Sequence, residues 1–303
     1  MTMASGVVFL DKPVGMSSRQ AVNAVARIFA GDGRKLKAGH TGTLDPLASG
    51  MLPILLGQAT RFASMGLEAD KVYRIEIDLS YQTDTLDEEG AVQARFEGWN
   101  QLSVTQISDK VSSFIGDIDQ VPPAFSAIRI GGERSYKLAR SGAAVEIPSR
   151  RVTIHSIDLL NLAMPKLELR VHCSKGTYMR ALARDLGEAL GCGGCITALR
   201  RLQTGGWESS WLVTMEQLAQ NAMAHLHPIS FWLRHLPQVV VDSTQAARLC
   251  HGQRVALKSA ALVDPVMMMC GGLCFGVGKV EAGNSSWPVL HPLRVIPGVI
   301  PLG

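Results

Sequence analysis

Gly39-His40-Thr41-Gly42-Thr43-Leu44-Asp45-Pro46-Leu47-Ala48-Ser49-Gly50 is the stretch on which the reading of this chain turns. Its glycines let the backbone turn tightly and a ligand come close. Asp45 is its one carboxylate, and Pro46 biases that residue toward an extended conformation. The spacing fits neither a P-loop nor a dinucleotide fingerprint, so no phosphate cradle is implied. Taken alone, Asp-Pro in a loop is also an ordinary turn signal.

Outward from this loop, the pattern predicts a mixed chain. Gly6–Leu10 reads as a strand, and Ser17 and Ser18 can cap a helix from Arg19 to about Ala30. Gly31 to Gly42 reads as a loop. Val72–Leu79 alternates as a strand, with Ala91–Phe96 its expected hairpin partner. Thr105–Ile115 and Thr177–Leu190 have helical spacing, the second stopped by Gly191. Val152–Leu162 and Leu167–Cys173 read as strands. No regular strand–helix–strand alternation runs through them, so the predicted class is α+β, a largely antiparallel mixed sheet with flanking helices. After residue 215 a helical stretch, Met215–Leu226, leads through Pro228 and Pro237 to short strand candidates. These predict a small β-rich C-terminal domain at 237–303, following a main domain at 1–236.

With 303 residues, 47% hydrophobic and 18% charged, the chain can bury a large core. That composition excludes a disulfide-stapled miniprotein and a disordered tail. The N-terminus shows no signal-peptide pattern, and the uncharged run Pro265–Gly278 is glycine-broken and too short to span a bilayer. A cytoplasmic protein without membrane contact is expected. Cys192-Gly193-Gly194-Cys195 has the spacing of a metal or redox pair, but Cys270 and Cys274 do not complete a compatible ligand set. The eight histidines show no ligand spacing, so no metal site is predicted.

The net charge of +4 is unevenly spread. Residues 67–97 carry nine acidic and three basic side chains. Residues 129–151 carry six basic and two acidic, and 166–201 seven basic and three acidic. Basic blocks of this kind suggest a surface that tracks phosphates, although they also serve as solvated faces.

The Gly39–Gly50 segment resembles the catalytic motif of the TruB-type pseudouridine synthases. Further matches run in the family's order: Leu10-Asp11-Lys12-Pro13 with Gly15-Met16-Ser17-Ser18, then Lys71-Val72-Tyr73 with Thr83-Asp84-Thr85. Next come Val121-Pro122-Pro123-Ala124-Phe125-Ser126-Ala127 and Tyr136-Lys137-Leu138-Ala139-Arg140-Ser141-Gly142. Cys173-Ser174-Lys175-Gly176-Thr177-Tyr178-Met179-Arg180 and Leu199-Arg200-Arg201 complete the set, which covers roughly residues 6–215. The C-terminal domain more loosely resembles the PUA RNA-binding domain.

The resemblance implies an isomerase that converts uridine 55 to pseudouridine in the T loop of tRNA, after flipping the base and without any cofactor or metal. It implies Asp45 as the carboxylate acting at the sugar, Arg180 as its partner, and Tyr73 as the ring that stacks on the flipped uracil. Tyr178 and Leu199 would wall the base pocket, and His40 would contact the rearranged loop. Lys12, Arg129 and Arg140 would complete the substrate-binding set. A basic insertion at about 122–150 would close over the T-arm. A monomer with no obligate protein partner and an accompanying tRNA-folding role fit the same resemblance. Departures from the family pattern are Ser80-Tyr81, Gly194-Cys195 and Trp207. A non-catalytic RNA-binding protein and a carboxylate-dependent glycosidic-bond enzyme are the other readings. The first has no need of a carboxylate beside phosphates, and the second lacks an evident second acid–base carboxylate.

Overall fold

The computed structural model describes residues 4–31, 35–126, 129–130, 133–134, 147–283 and 287–299. The chain begins with β1 (Gly6–Lys12) and α1 (Ser18–Ala30), followed by β2 (Ala38–His40) and β3 (Ser49–Leu56). A short helix α2 (Ala63–Glu68) leads into β4 (Lys71–Asp78), β5 (Tyr81–Thr83) and β6 (Val92–Arg95). Next come α3 (Val104–Ser112), β7 (Gly116–Gln120) and the two-residue strands β8 (Arg129–Ile130) and β9 (Glu133–Arg134). The long strands β10 (Arg150–Ala163) and β11 (Lys166–Cys173), then α4 (Met179–Ala189) and β12 (Cys195–Thr204), finish the main body. The main sheet runs β1-β3-β12-β4-β11-β10-β7, with β2 added beside β3. Only the β3–β12 pair is parallel among its described pairs. The α+β class with a largely antiparallel mixed sheet is therefore what the chain adopts.

Burial explains why β1 and β3 read as continuous apolar runs. Val8 and Leu10 of β1, with Leu52 and Ile54 of β3, face the core under α1, α3 and α4. Val7, Phe9, Met51 and Leu55 face the opposite side, against Trp207, Trp232 and residues of the C-terminal strands. A strand covered on both faces has no polar side to alternate with. β4 lies where only one face is covered: Ile75 and Ile77 enter the core, and Arg74 and Glu76 point outward.

Helices α5 (Met215–Asn221) and α6 (Ile229–Trp232) connect to a second sheet. Its elements are β13 (Gln238–Val240), α7 (Ser243–Cys250), β14 (Val255–Ala256), β15 (Val263–Cys270), β16 (Leu273–Ala282) and β17 (Pro288–Val295). The strand order is β13-β15-β16-β17-β14. Met267, Cys274, Val277 and Ile296 of this β-rich part share a hydrophobic cluster with Phe9 and Trp232 of the main body. Among the described residues no helix is long and apolar enough to cross a membrane.

Three local expectations need correction. The 91–96 segment does not pair with the 72–79 strand: β6 pairs with β5, and β4 lies between β12 and β11. Thr83, Asp87 and the turn between them are anchored by internal hydrogen bonds, which closes a small separate hairpin. The expected loop at 31–42 contains β2, because Ala38–His40 finds a free edge on β3. Finally, charge segregated along the sequence is mixed in space. The register of β4 against β11 sets Arg74 beside Glu168 and Lys166 beside Glu76, and Lys175 meets Glu68, so acidic and basic stretches pair off.

Candidate active site

Asp45 stands on the loop between β2 and β3, and five contacts fix that loop. Ser18 Oγ accepts a hydrogen bond from Leu44 N (2.7 Å) and donates one to Leu44 O (2.9 Å). Gly15 N donates to Pro46 O (2.8 Å), and Lys12 Nζ reaches the same carbonyl at 3.4 Å. Arg201 Nη2 donates to Gly42 O (3.1 Å). The small residues at 15–18 and the glycines of the loop serve this close meeting of backbones. Gly50 is the strictest case: its φ is 96°, and a Cβ there would lie 2.3 Å from the Arg201 carbonyl oxygen.

Arg180 enters from the first turn of α4. Its side chain is 5% exposed, and it lies between two carboxylates. Nε is 3.0 Å from Asp45 Oδ2, and Nη1 is 3.4 Å from Asp87 Oδ2. Nη1 and Nη2 also donate to Thr85 O (2.8 Å) and Phe125 O (2.9 Å). The Nε–H is not aligned for a hydrogen bond with Asp45, so that contact is an ion pair. Asp45 is 34% exposed and Asp87 only 4%, which makes Asp45 the carboxylate available to a ligand. Burial pushes Asp87 above its ordinary pKa, with Thr85 and Arg180 opposing.

Asp45, Tyr73, Tyr178, Arg180 and Leu199 line one cleft of about 270 Å³. Lys71 and Arg201, both buried, also line it. This is a small volume against the ~300–1,000 Å³ of ordinary ligand pockets, suited to one planar base and its sugar. Tyr73 is half-buried on β4. Burial raises its pKa, while a hydrogen bond and the positive charge from Arg201 pull the other way, and the hydroxyl stays protonated at neutral pH. Tyr178 stands just before α4 and is held by a double clamp. Its N–H donates to Gln120 Oε1 (2.8 Å), and Gln120 Nε2 donates to its carbonyl (3.1 Å). The Arg150 guanidinium lies 5.3 Å from the centre of the Tyr178 ring.

The sequence motifs Thr83-Asp84-Thr85 and Leu199-Arg200-Arg201 pointed near two residues that the reading did not single out. Asp87 is the buried partner of Arg180. Arg201 is buried and donates to Met51 O (2.6 Å) as well as Gly42 O. Alternation on β12 explains the triplet: Leu199 and Arg201 face the cleft, and Arg200 turns away to make a two-pronged pair with Asp11 (3.0 and 2.8 Å). A charged residue in a strand gives no sequence signal of being buried.

Lys12 is not exposed to RNA. Its ammonium is fully buried and donates to Pro13 O (2.8 Å), Met16 O (2.6 Å) and Pro46 O. Burial brings its pKa down to about 8, with Asp45 offsetting part of the fall. Expected as a substrate contact, Lys12 instead staples the turn after β1 to the Asp45 loop. His40 lies outside the main cleft, in an adjoining hollow that shares Thr43, Leu44 and Asp45 with it. Its Nδ1 accepts from Gly42 N (3.2 Å), and burial with Arg201 nearby holds the ring below its ordinary pKa. Arg129 belongs to the β8–β9 pair. Arg140 and most of the expected basic insertion lie outside the described residues.

Similar sequences cover nearly the whole chain. Residues 28–179 match the family described as TruB family pseudouridylate synthase, N-terminal domain. Residues 180–236 match the tRNA pseudouridylate synthase B C-terminal domain, and 237–296 match pseudouridine synthase II TruB, C-terminal. The chain is 39% identical over 300 residues to a tRNA pseudouridine synthase B of Azoarcus sp. (strain BH72), covering 97% of this chain and 95% of that one. Over 265 residues it is 45% identical to the protein of the same name from Ralstonia pickettii (strain 12J), covering 84% and 81%. A chain in a solved Cbf5–Nop10–Gar1 complex superposes with a TM-score of 0.73 at 26% identity, covering 96% of this chain and 84% of that one. An accessible carboxylate paired with a buried arginine, in one cleft with a tyrosine on the central strand, sits in a chain matched along nearly its whole length, and the chain belongs to the TruB family of pseudouridine synthases.

Proposed function

We propose that this chain, a pseudouridine synthase acting on tRNA, takes uridine 55 of the T loop as its target and flips that base into the cleft beside Asp45. The observation that carries this reading is the pairing of accessible Asp45 with buried Arg180 at 3.0 Å, facing the half-buried Tyr73 ring. An opposite charge so close keeps a carboxylate ionised and oriented. Asp45 then acts at the sugar while the C1′–N1 bond breaks, the uracil turns and C1′ joins C5; C5 gives up its proton and N1 takes one up. Substrate and product are isomers at the same oxidation level, differing by one proton lost and one gained, so the isomerisation needs no cofactor.

Tyr73, protonated in the free protein, stacks on the extruded base, and Tyr178 and Leu199 bound the pocket. Extrusion from a folded loop costs a few kcal/mol, offset by this stacking. His40, neutral at pH 7, faces the displaced loop nucleotides from the adjoining hollow. The segment at about 122–150, including Arg129 and Arg140, closes over the T-arm. Residues 1–236 form the catalytic unit and 237–303 a PUA-like RNA-binding module. The enzyme works as a cytoplasmic monomer without an obligate protein partner, and also assists tRNA folding.

The test is pseudouridine formation on an unmodified tRNA transcript by wild type and Asp45→Asn. The variant should retain RNA binding and form no product. Isomerisation by the variant would overturn the role of Asp45, and product at a uridine other than 55 would overturn the target.

A further inference from the structure

On the outer face of the main sheet, away from the cleft, a carboxylate and two imidazoles converge. Asp70 precedes β4, His155 lies on β10 and His172 on β11. One donor atom from each lies within 4.8 Å of the others. His155 Nε2 is 3.2 Å from Asp70 Oδ2, and the two imidazole rings are 4.6 Å apart at a tilt of 50°.

Strand register brings the two imidazoles together. Ile154 pairs with Cys173 and Ser156 with His172, so His155 is the extra residue of a β-bulge. Val152 and Ile154 of β10 are buried in the core, so alternation turns His155 to the outer face. His172 stands on that same face with Arg170 and Glu168, and beyond the bulge Ile157 resumes the core-facing side. Asp70 is fixed at the same edge, because its carbonyl accepts from Gly205 N (2.8 Å). A hollow of about 450 Å³ opens beside Asp70 and His172, so solvent reaches the group. Two imidazole nitrogens and one carboxylate oxygen, with room for a further ligand, are a donor set for zinc-class ions and a poor one for magnesium.

We propose that Asp70, His155 and His172 bind one divalent transition-metal ion of the zinc class, with solvent completing its coordination. Such an ion clamps the loop before β4 to the β10–β11 hairpin, three segments distant in sequence. It lies next to Lys71, which lines the catalytic cleft.

The full chain, stripped with EDTA, is titrated with Zn²⁺ alone by calorimetry, as wild type and as His155→Gln and His172→Asn. Wild type should take up one ion per chain and gain thermal stability with zinc concentration. Each variant should bind about tenfold more weakly or worse, a loss of ~1.4 kcal/mol or more. Co²⁺ binding to wild type gives a reading that needs no variant: visible ligand-field bands without a thiolate charge-transfer band. No binding, unchanged affinity in both variants, or a thiolate band marking the ion as cysteine-bound would each overturn the proposal.

Discussion

Replacing Arg180 by methionine separates the two tasks assigned to this residue. In the folded protein its guanidinium neutralises buried Asp87 and donates to the carbonyls of Thr85 and Phe125, in addition to pairing with Asp45. Each charged hydrogen bond contributes about 1.5–3 kcal/mol, and stranding a buried carboxylate costs about 3–5 kcal/mol. These overlap, because one guanidinium makes all of them, so the expected loss in unfolding free energy is about 3–5 kcal/mol. Asp87→Asn keeps the shape and removes the charge that burial already disfavours, and about 1–2 kcal/mol is expected for it alone. In Arg180→Met/Asp87→Asn no buried charge is left stranded, so the double variant should be more stable than the sum of the singles by about 2 kcal/mol. The Arg180→Met deficit should also shrink as pH falls. Asp87, already raised in the folded protein, is raised further without the guanidinium. In that variant the folded state takes up a proton that the unfolded chain does not bind until a lower pH. Urea midpoints at constant m-value read the stability, and pseudouridine formation reads the chemistry. The double variant should be no less stable than Arg180→Met alone and still form no product. Losses additive to within about 0.5 kcal/mol would refute the coupling between Arg180 and Asp87, and a double variant active at the wild-type rate would refute the pairing with Asp45 as a catalytic requirement.

Other outcomes follow from single groups. Lys12 has a folded pKa of about 8, below its unfolded value, so between about pH 8 and 10.5 the unfolded chain binds the extra proton and stability from this group rises with pH. The stability of wild type relative to Lys12→Met should therefore increase over that window; a flat difference would mean that Lys12 is not buried as a cation. Gly50→Ala should cost about 2 kcal/mol or more, measured by thermal unfolding, because φ of 96° and a Cβ 2.3 Å from Arg201 O leave no relaxed geometry. An unchanged melting temperature would contradict that backbone path. For tRNA, log affinity should fall with log salt with a slope of about −0.7 to −0.9 per phosphate contact, and a flat response in filter binding would remove the basic residues from the interface.

Much of the architecture is local and was therefore legible. Capping boxes at Ser17–Gln20, Ser103–Gln106, Thr214–Gln217 and Asp242–Gln245 each close within one turn, so the starts of those helices are encoded in four residues. The Gly39–Gly50 segment singled out Asp45 through its resemblance to a family motif, since the loop by itself reads equally well as a turn.

What the chain alone could not disclose is which charges become buried and which strands become neighbours. Arg180 and Thr85 are 95 residues apart, and Arg201 and Gly42 are 159 apart. Lys12, expected to contact substrate, is instead enclosed between the local Pro13 and Met16 carbonyls and that of Pro46, 34 residues away. His155 meets Asp70 and His172 only because β10 pairs with β11 and β11 with the start of β4. Sequence determined the turns, caps and apolar faces, since these depend on neighbours within a few bonds. Tertiary structure decided the partners of the charges, since the pKa and reach of a buried ion depend on what long-range packing places beside it.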